Sequence, residues 1–186
     1  MKVFFFGNGD FGINALEKVC NNKKISLVSV VTNPPKKAGR GLKNHNTPIH
    51  NYCIENNIKV ILNDNLNDIN FIQKLNDFNP DLFIVISYKI MPSNVFSLPK
   101  FGSINLHPSI LPKYRGASPI QYAIFNDDKS TGVTIFKLSK GVDSGSILYQ
   151  KNVDIPDNII FTDLYTILSN IGAIAIDYTV NNFEQL

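Results

Sequence analysis

Short apolar runs alternate along the chain with segments in which apolar residues recur every three or four positions. Val3–Phe6 is a continuous apolar run that ends at a glycine, which is typical of a buried parallel strand. After this run, Ile13, Leu16 and Cys20 have helical spacing, and Asp10 is the predicted N-cap of that helix. The N-terminal segment therefore predicts a strand followed closely by a helix.

The same alternation continues through the rest of the chain. We predict strands over 25–32, 60–62, 81–87, 101–106, 132–138 and 146–153, the last two joined by a glycine-containing turn that allows antiparallel pairing. Helices are predicted from Thr47-Pro48 onward, over 66–78 and over 162–183. The segment 33–46 contains two prolines and two glycines and is predicted to be a long exposed loop without regular structure. Alternating strands and helices indicate an α/β fold of Rossmann-like type, with a mainly parallel sheet flanked by helices.

Composition places the chain among ordinary globular domains. Its 186 residues are 44% hydrophobic and 18% charged, which fits one domain spanning 1–186. We expect a cytoplasmic protein, since the sequence contains no signal-like apolar segment and no membrane span. Cys20 and Cys53 are too few for a disulfide framework or a zinc site, and we expect both to be reduced, buried thiols.

Positive charge is concentrated in one part of the chain. Between Glu17 and Glu55 there are six lysines and one arginine, Arg40, and no acid. The net charge of +3 permits contact with nucleic acid without requiring it, and a solvated basic surface explains the cluster equally well. Arg40 and Arg115 are the only arginines in a lysine-rich chain, so both positions draw attention.

The first strand runs into Gly7-Asn8-Gly9-Asp10-Phe11-Gly12, which matches the G-x-G-x-x-G dinucleotide fingerprint at a strand-to-helix turn. In dinucleotide-binding proteins an acid near the end of the second strand holds the ribose. Here that position is Thr32-Asn33, with no acid nearby. We therefore interpret the glycines as turn residues and predict that NAD(P) does not bind.

Two constellations point to chemistry at the end of the fifth predicted strand. Asn105 and His107 are two residues apart, so both side chains project from one face near the strand's carboxyl end, where α/β proteins bind ligands. Asp143 lies in a turn between Gly141 and Gly145, and can approach His107 if that turn folds over the sheet end. Either motif alone is better explained by an ordinary loop or turn.

The motifs together resemble a known family. They read Asn-x-His-x-Ser-x-Leu-Pro-x-x-Arg-Gly-x-x-Pro-Ile-Gln from residue 105, then Thr-Gly-Val-Thr from 131, then Gly-x-Asp-x-Gly from 141. This pattern resembles the core of the formyltransferases that use 10-formyltetrahydrofolate. The resemblance implies the formyltransferase fold and 10-formyltetrahydrofolate as co-substrate. No metal ligands cluster in the sequence, and we expect no metal. The resemblance also implies site residues: the catalytic set Asn105, His107 and Asp143, and the folate-associated segment Ser109, Ile110, Leu111 and Pro112.

The basic loop resembles one class within that family. The residues Thr32-Asn-Pro-Pro-Lys-Lys-Ala-Gly-Arg-Gly-Leu-Lys43 are similar to the loop that the members acting on methionyl-tRNA insert into the acceptor stem. The resemblance implies methionyl initiator tRNA as partner, a role in translation initiation, and contacts from Arg40, Lys36, Lys37 and Lys43. Exposed cations of this kind can neutralise phosphates. We expect a monomer.

Two departures from the family pattern leave alternatives open. Tyr88-Lys89 stands where the family has Tyr-Gly, and the family's C-terminal β-barrel tRNA-binding domain is absent from the sequence. A formyltransferase acting on a small amine, such as an amino-sugar nucleotide or glycinamide ribonucleotide, would not need the basic loop. A non-enzymatic nucleotide- or RNA-binding domain is a further alternative, although it leaves Asn105, His107 and Asp143 without a role.

Overall fold

The computed structural model describes residues 1–38 and 43–185. Its backbone forms two compact units, the first made of Met1–Ile13 and Ile25–Ser103, the second of Asn14–Lys24 and the chain from Ile104 onward. In chain order the described strands and α-helices are β1 (Lys2–Gly7), α1 (Ile13–Asn21), β2 (Ser26–Thr32), β3 (Lys36–Ala38), β4 (Lys43–His45), α2 (Pro48–Glu55), β5 (Val60–Leu62), α3 (Ile69–Asp77), β6 (Leu82–Ile86), α4 (Ser93–Phe96), β7 (Ser103–His107), α5 (Pro119–Phe125), β8 (Ser130–Lys137), β9 (Ile147–Asp154) and α6 (Phe161–Asn181).

Four parallel strands form the framework of the first unit. Their order is β5-β2-β1-β6, and each neighbouring pair is parallel. All five residues of β6 and the last five of β1 are buried, as expected for parallel strands that are covered on both faces. The predicted mainly parallel α/β arrangement is confirmed for this part of the chain.

Antiparallel strands and the long helix α6 form the second unit. β8 pairs with β7 on one side and with β9 on the other, and both pairings are antiparallel. The predicted strand pair 132–138 and 146–153 is therefore confirmed. Leu106 of β7 packs on α6, where a Cβ placed on Gly172 would lie 2.6 Å from the Leu106 Cδ2 atom.

Side-chain N-caps determine where α2 and α3 begin. Thr47 caps α2, since its hydroxyl oxygen accepts a hydrogen bond from the His50 backbone N–H at 3.1 Å. The predicted helix 66–78 is shorter than expected because Asp68 caps α3 at Ile69. Asp10 was wrong as an N-cap: the chain first makes a 3-10 turn over Asp10–Gly12, and α1 begins only at Ile13.

Two further expectations were wrong. The segment 33–46 contains the antiparallel hairpin β3–β4, because pairing satisfies its backbone groups despite the charged side chains. Cys20 is exposed, because α1 buries a face made by Ala15, Leu16 and Val19; Cys53 is buried as expected.

Among the described residues no helix is long and apolar enough to cross a membrane.

Candidate active site

Asn105 and His107 lie on the same face at the end of β7. Ile104 and Leu106 are buried, and the contact of Leu106 with α6 fixes which face of the strand points to that helix. Because side chains alternate along a strand, Asn105 and His107 face away from α6. Asn105 is half-buried and His107 is only 5% exposed, so the imidazole is largely removed from water.

Both ring nitrogens of His107 face hydrogen-bond acceptors. The Nε2 atom is 2.8 Å from the backbone oxygen of Tyr114, and the Nδ1 atom is 3.5 Å from Oδ2 of Asp143. The carbonyl and the carboxylate both only accept, but only the 2.8 Å contact with Tyr114 has the length of an ordinary hydrogen bond, so we assign the hydrogen of the neutral ring to Nε2, which leaves Nδ1 without a hydrogen. A proton arriving on Nδ1 would therefore be stabilised by Asp143.

The turn that carries Asp143 holds its carboxylate in place. Asp143 has a φ of +44°, a left-handed conformation that Asp tolerates better than most residues. The Gly116 backbone N–H donates to Asp143 Oδ2 at 2.8 Å, and the Arg115 Nε donates to the Asp143 backbone oxygen at 2.9 Å. The structure thus brings His107 and Asp143 together, as their motifs predicted; their catalytic roles stay a prediction.

Sequence reasoning missed the residues that support this pair. Tyr114 contributes its backbone oxygen, and its hydroxyl donates to Asp128 Oδ2 at 2.8 Å. Lys113 Nζ also contacts Asp128 Oδ2, at 2.7 Å. Backbone acceptors leave no trace in a sequence, whereas the rarity of arginine did mark Arg115.

The segment Ser109–Pro112 follows His107 directly and turns different residues inward and outward. Ser109 and Leu111 are buried, with 1% and 4% exposure, whereas Ile110 is half-buried and Pro112 is exposed. The Ser109 hydroxyl donates to the backbone oxygen of Lys113 and closes a short turn. The side chains that this segment offers to a ligand are therefore those of Ile110 and Pro112.

The predicted tRNA-contacting lysines lie in the first unit. Lys36 and Lys37 are on β3 and Lys43 is on β4, and all three are exposed. Arg40 lies outside the described residues. The three lysines make the hairpin a basic, solvent-facing element, which is the property that a phosphate-binding surface requires.

The glycine fingerprint has a packing role in this structure. A Cβ on Gly7 would lie 2.9 Å from the Phe5 ring, and one on Gly12 would lie 3.3 Å from the Ile86 side chain. The Asn8 side-chain oxygen accepts hydrogen bonds from the Thr32 hydroxyl at 3.0 Å and from the Asn33 N–H at 2.9 Å. The Asn8 side chain thus links the glycine turn to the end of β2, which is the position where a dinucleotide-binding protein has its acidic residue.

Tyr88 and Lys89 lie in the loop after β6, and their side chains donate hydrogen bonds to the loop after β5. The Tyr88 hydroxyl donates to the backbone oxygen of Asn63 at 3.3 Å, and Lys89 Nζ donates to that of Asp64 at 2.6 Å. Burial, with a contribution from Asp64, raises the pKa of the Tyr88 phenol above its ordinary value. Burial also lowers the pKa of the Lys89 ammonium, and Lys36 lowers it further, although Asp64 opposes the shift. Both side chains are thus anchored to the loop that follows β5.

Within residues 1–38 and 43–185, no group of three or more His, Cys, Asp or Glu side chains is placed to hold a metal ion.

Comparison with known proteins gives this site a family. Residues 1–175 match the Formyl transferase family. A relative named methionyl-tRNA formyltransferase, from Ehrlichia ruminantium (strain Gardel), is 40% identical over 187 residues, covering 100% of this chain and 62% of the relative. The chain thus spans less than two thirds of that relative's length.

Solved structures show the same fold at low sequence identity. Phosphoribosylglycinamide formyltransferase from Bacillus halodurans superposes with a TM-score of 0.82 at 22% identity, covering 98% of this chain and 95% of that one. An N-formyltransferase from Helicobacter canadensis, in complex with folinic acid and dTDP-3-aminofucose, gives 0.71 at 23% identity over 100% of this chain and 64% of that one. The Rossmann-like fold class is confirmed, and the chain belongs to the formyl transferase family.

Proposed function

We propose that this chain is the catalytic domain of an enzyme that transfers a formyl group from 10-formyltetrahydrofolate to the α-amino group of methionyl initiator tRNA. The observation that carries the proposal is the approach of half-buried Asp143 to buried His107, which lies at the end of β7 on the face that also bears Asn105. The relative that is 40% identical over the whole chain carries the name of this activity. We expect the reaction to occur in the cytoplasm and to support translation initiation.

The acceptor amine, in its neutral form, is its own nucleophile. Its nitrogen attacks the formyl carbon, a new C–N bond forms, and the bond from that carbon to the folate nitrogen then breaks. In between, the carbonyl oxygen carries negative charge. The Asn105 amide is suited to donate a hydrogen bond to that oxygen, and one such donor lowers the activation free energy by about 3 kcal/mol.

One proton must move from the attacking amine to the leaving folate nitrogen. His107 presents an unprotonated Nδ1 to receive it, since Nε2 already donates to the Tyr114 carbonyl. Asp143, 3.5 Å from Nδ1, stabilises the imidazolium while it lasts. Asn105 stabilises the negatively charged oxygen and His107 transfers the proton. The reaction therefore needs no covalent enzyme intermediate.

The folate co-substrate is assigned to the Ser109–Pro112 segment. The Helicobacter canadensis neighbour of the same fold was solved with folinic acid, a folate derivative. Here the segment starts two residues after His107, and its accessible side chains are those of Ile110 and Pro112. A rigid, apolar-edged segment beside the proton-transferring residue suits a planar ligand.

The exposed hairpin supports tRNA as the acceptor. Lys36, Lys37 and Lys43 can each neutralise a phosphate, and Arg40, between β3 and β4 in sequence, has the planar fork suited to bases and phosphates. A formyltransferase for a small amine has the support of the fold, since the Bacillus halodurans neighbour is a phosphoribosylglycinamide formyltransferase. That alternative gives the lysine-rich hairpin no task.

Two variants separate acceptor binding from chemistry. Arg40→Ala should weaken methionyl-tRNA binding by about 1–3 kcal/mol and leave folate affinity unchanged. His107→Ala should abolish transfer while tRNA affinity stays close to that of the parent. Fluorescence titration of labelled tRNA gives the tRNA affinity, and calorimetry gives the folate affinity. Lys74→Ala, which removes one exposed positive charge elsewhere on the chain, is the matched control.

Normal formylation by Arg40→Ala at limiting tRNA would refute the tRNA assignment and favour the small-amine alternative.

A further inference from the structure

The segment Ser109–Pro112 lies on one face of β8. Gly132 and Thr134 are two residues apart on that strand and therefore share a face. A Cβ on Gly132 would lie 2.5 Å from the Cδ1 atom of Ile110 and 2.1 Å from the backbone oxygen of Lys151. Only glycine at position 132 leaves room for the Ile110 side chain to pack against the strand, so the segment Ser109–Pro112 packs on β8.

The Thr134 hydroxyl holds the backbone of this segment. Thr134 is fully buried, and its Oγ1 donates to the Ser109 carbonyl at 2.7 Å. The same oxygen accepts from the Leu111 N–H at 3.1 Å and from the Gln150 side-chain amide at 2.9 Å. One donation and two acceptances use the full hydrogen-bonding capacity of a hydroxyl.

Gln150 completes the arrangement from β9. Its Nε2 atom also donates to the Leu111 carbonyl at 2.9 Å, so both backbone groups of Leu111 are bonded to Thr134 or Gln150. Thr134 is the register partner of His107 in the β7–β8 pairing, and Gln150 is the register partner of Thr134 in the β8–β9 pairing. The two polar side chains thus link the strand opposite His107 to the segment assigned to folate.

We propose that Thr134 and Gln150 are positioning residues for the folate co-substrate, because they fix the backbone on either side of Ile110. The proposal rests on the proposed function, since it assumes that Ser109–Pro112 contacts folate. Groups that orient a binding segment from behind control how well the ligand is placed without touching it. Loss of these bonds should therefore raise the KM for 10-formyltetrahydrofolate more than it lowers kcat.

The test compares paired variants by steady-state formyl transfer. Thr134→Val keeps the shape of the side chain but removes the hydroxyl, whereas Thr134→Ser keeps the hydroxyl. We expect the valine variant to raise the folate KM about tenfold with kcat within about a factor of three, and the serine variant to restore most of the loss. Equal KM values for parent, valine and serine variants would overturn the proposal.

A second pair guards against misfolding of a core variant. Gln150 and Asn152 are both exposed residues of β9 on the same face, but only the Gln150 amide reaches the segment. Gln150→Leu should raise the folate KM, whereas Asn152→Leu should not. Identical KM values for these two variants would overturn the role of Gln150. A parent protein that neither binds nor uses 10-formyltetrahydrofolate would refute the proposed function itself, before any variant is compared.

Discussion

Replacing Asp143 by Asn should remove the charge that supports His107 while it keeps the local geometry. The Asn side-chain oxygen can still accept the hydrogen bond from the Gly116 N–H, which is 2.8 Å long in the parent. The Arg115 bond reaches the backbone oxygen of residue 143 and does not depend on the carboxylate. The main loss is thus the interaction of an imidazolium with an anion.

The structure sets the size of that loss. At the 3.5 Å separation of Nδ1 and Oδ2, an effective dielectric constant of about 20 gives an attraction of about 4.7 kcal/mol. About 1.4 kcal/mol changes an equilibrium or rate by a factor of ten, so the full interaction corresponds to on the order of a thousandfold. Water reaches Asp143, whose side chain is 18% exposed, and screens part of this energy. We therefore expect kcat to fall by about a hundredfold or more.

The assay is transfer of labelled formyl from 10-formyltetrahydrofolate at saturating acceptor, which reports kcat. Asp157→Asn is the matched control, because that carboxylate is 86% exposed and lies in another loop of the same unit. Folate affinity, measured separately by calorimetry, should be nearly unchanged in both variants. A kcat for Asp143→Asn within about threefold of the parent would show that the carboxylate does not support the transfer step.

Three further predictions concern pH dependence and the glycine fingerprint. Because the pKa of Tyr88 is raised in the folded state, the unfolded chain loses this proton first, near pH 10, and the parent should lose stability above that pH. In urea unfolding, Tyr88→Phe should lose less free energy of unfolding above pH 10 than the parent. The same pH dependence of the free energy of unfolding in both proteins would contradict this prediction. For Asp128, burial raises the pKa but hydrogen bonds from Lys113 and Tyr114 outweigh it and leave the pKa below its ordinary value. Its stabilisation is therefore complete above about pH 4 and lost as pH falls further, so Asp128→Asn should lose less stability in acid than the parent; an equal acid loss would speak against it. NAD and NADP should show no micromolar, saturable binding in calorimetry, and such binding would revive the dinucleotide interpretation of Gly7–Gly12.

The parts of the fold that could be predicted are those in which one physical signal dominates. The apolar runs of β1 and β6 are buried along nearly their whole length, so length and hydrophobicity alone identify them. The hairpin β3–β4 could not be predicted, since its lysines and neighbouring prolines are typical of loops and its pairing is made by backbone groups.

The candidate site divides in the same way. The strand end and the glycine-flanked turn allowed Asp143 to approach His107 only if the turn folded over the sheet end, and the family resemblance made that approach the prediction; the two side chains lie 3.5 Å apart. The Tyr114 carbonyl that sets the His107 tautomer and the Gly116 N–H that holds Asp143 were not predictable, since every residue carries these groups. Thr134 lies in the Thr-Gly-Val-Thr motif that resembles the family, but its three hydrogen bonds depend on how the chain folds and could not be predicted from the motif.

The most direct test of the account is an acceptor competition with the parent protein. 10-Formyltetrahydrofolate labelled on its formyl group is supplied with methionyl initiator tRNA, an amino-sugar nucleotide and glycinamide ribonucleotide, and the labelled products are separated. We predict that label appears on the α-amino group of the methionyl residue with the highest kcat/KM, and that His107→Ala transfers none to any acceptor. Preferred labelling of a small amine would contradict the tRNA assignment, and equal transfer by His107→Ala would contradict the catalytic site itself.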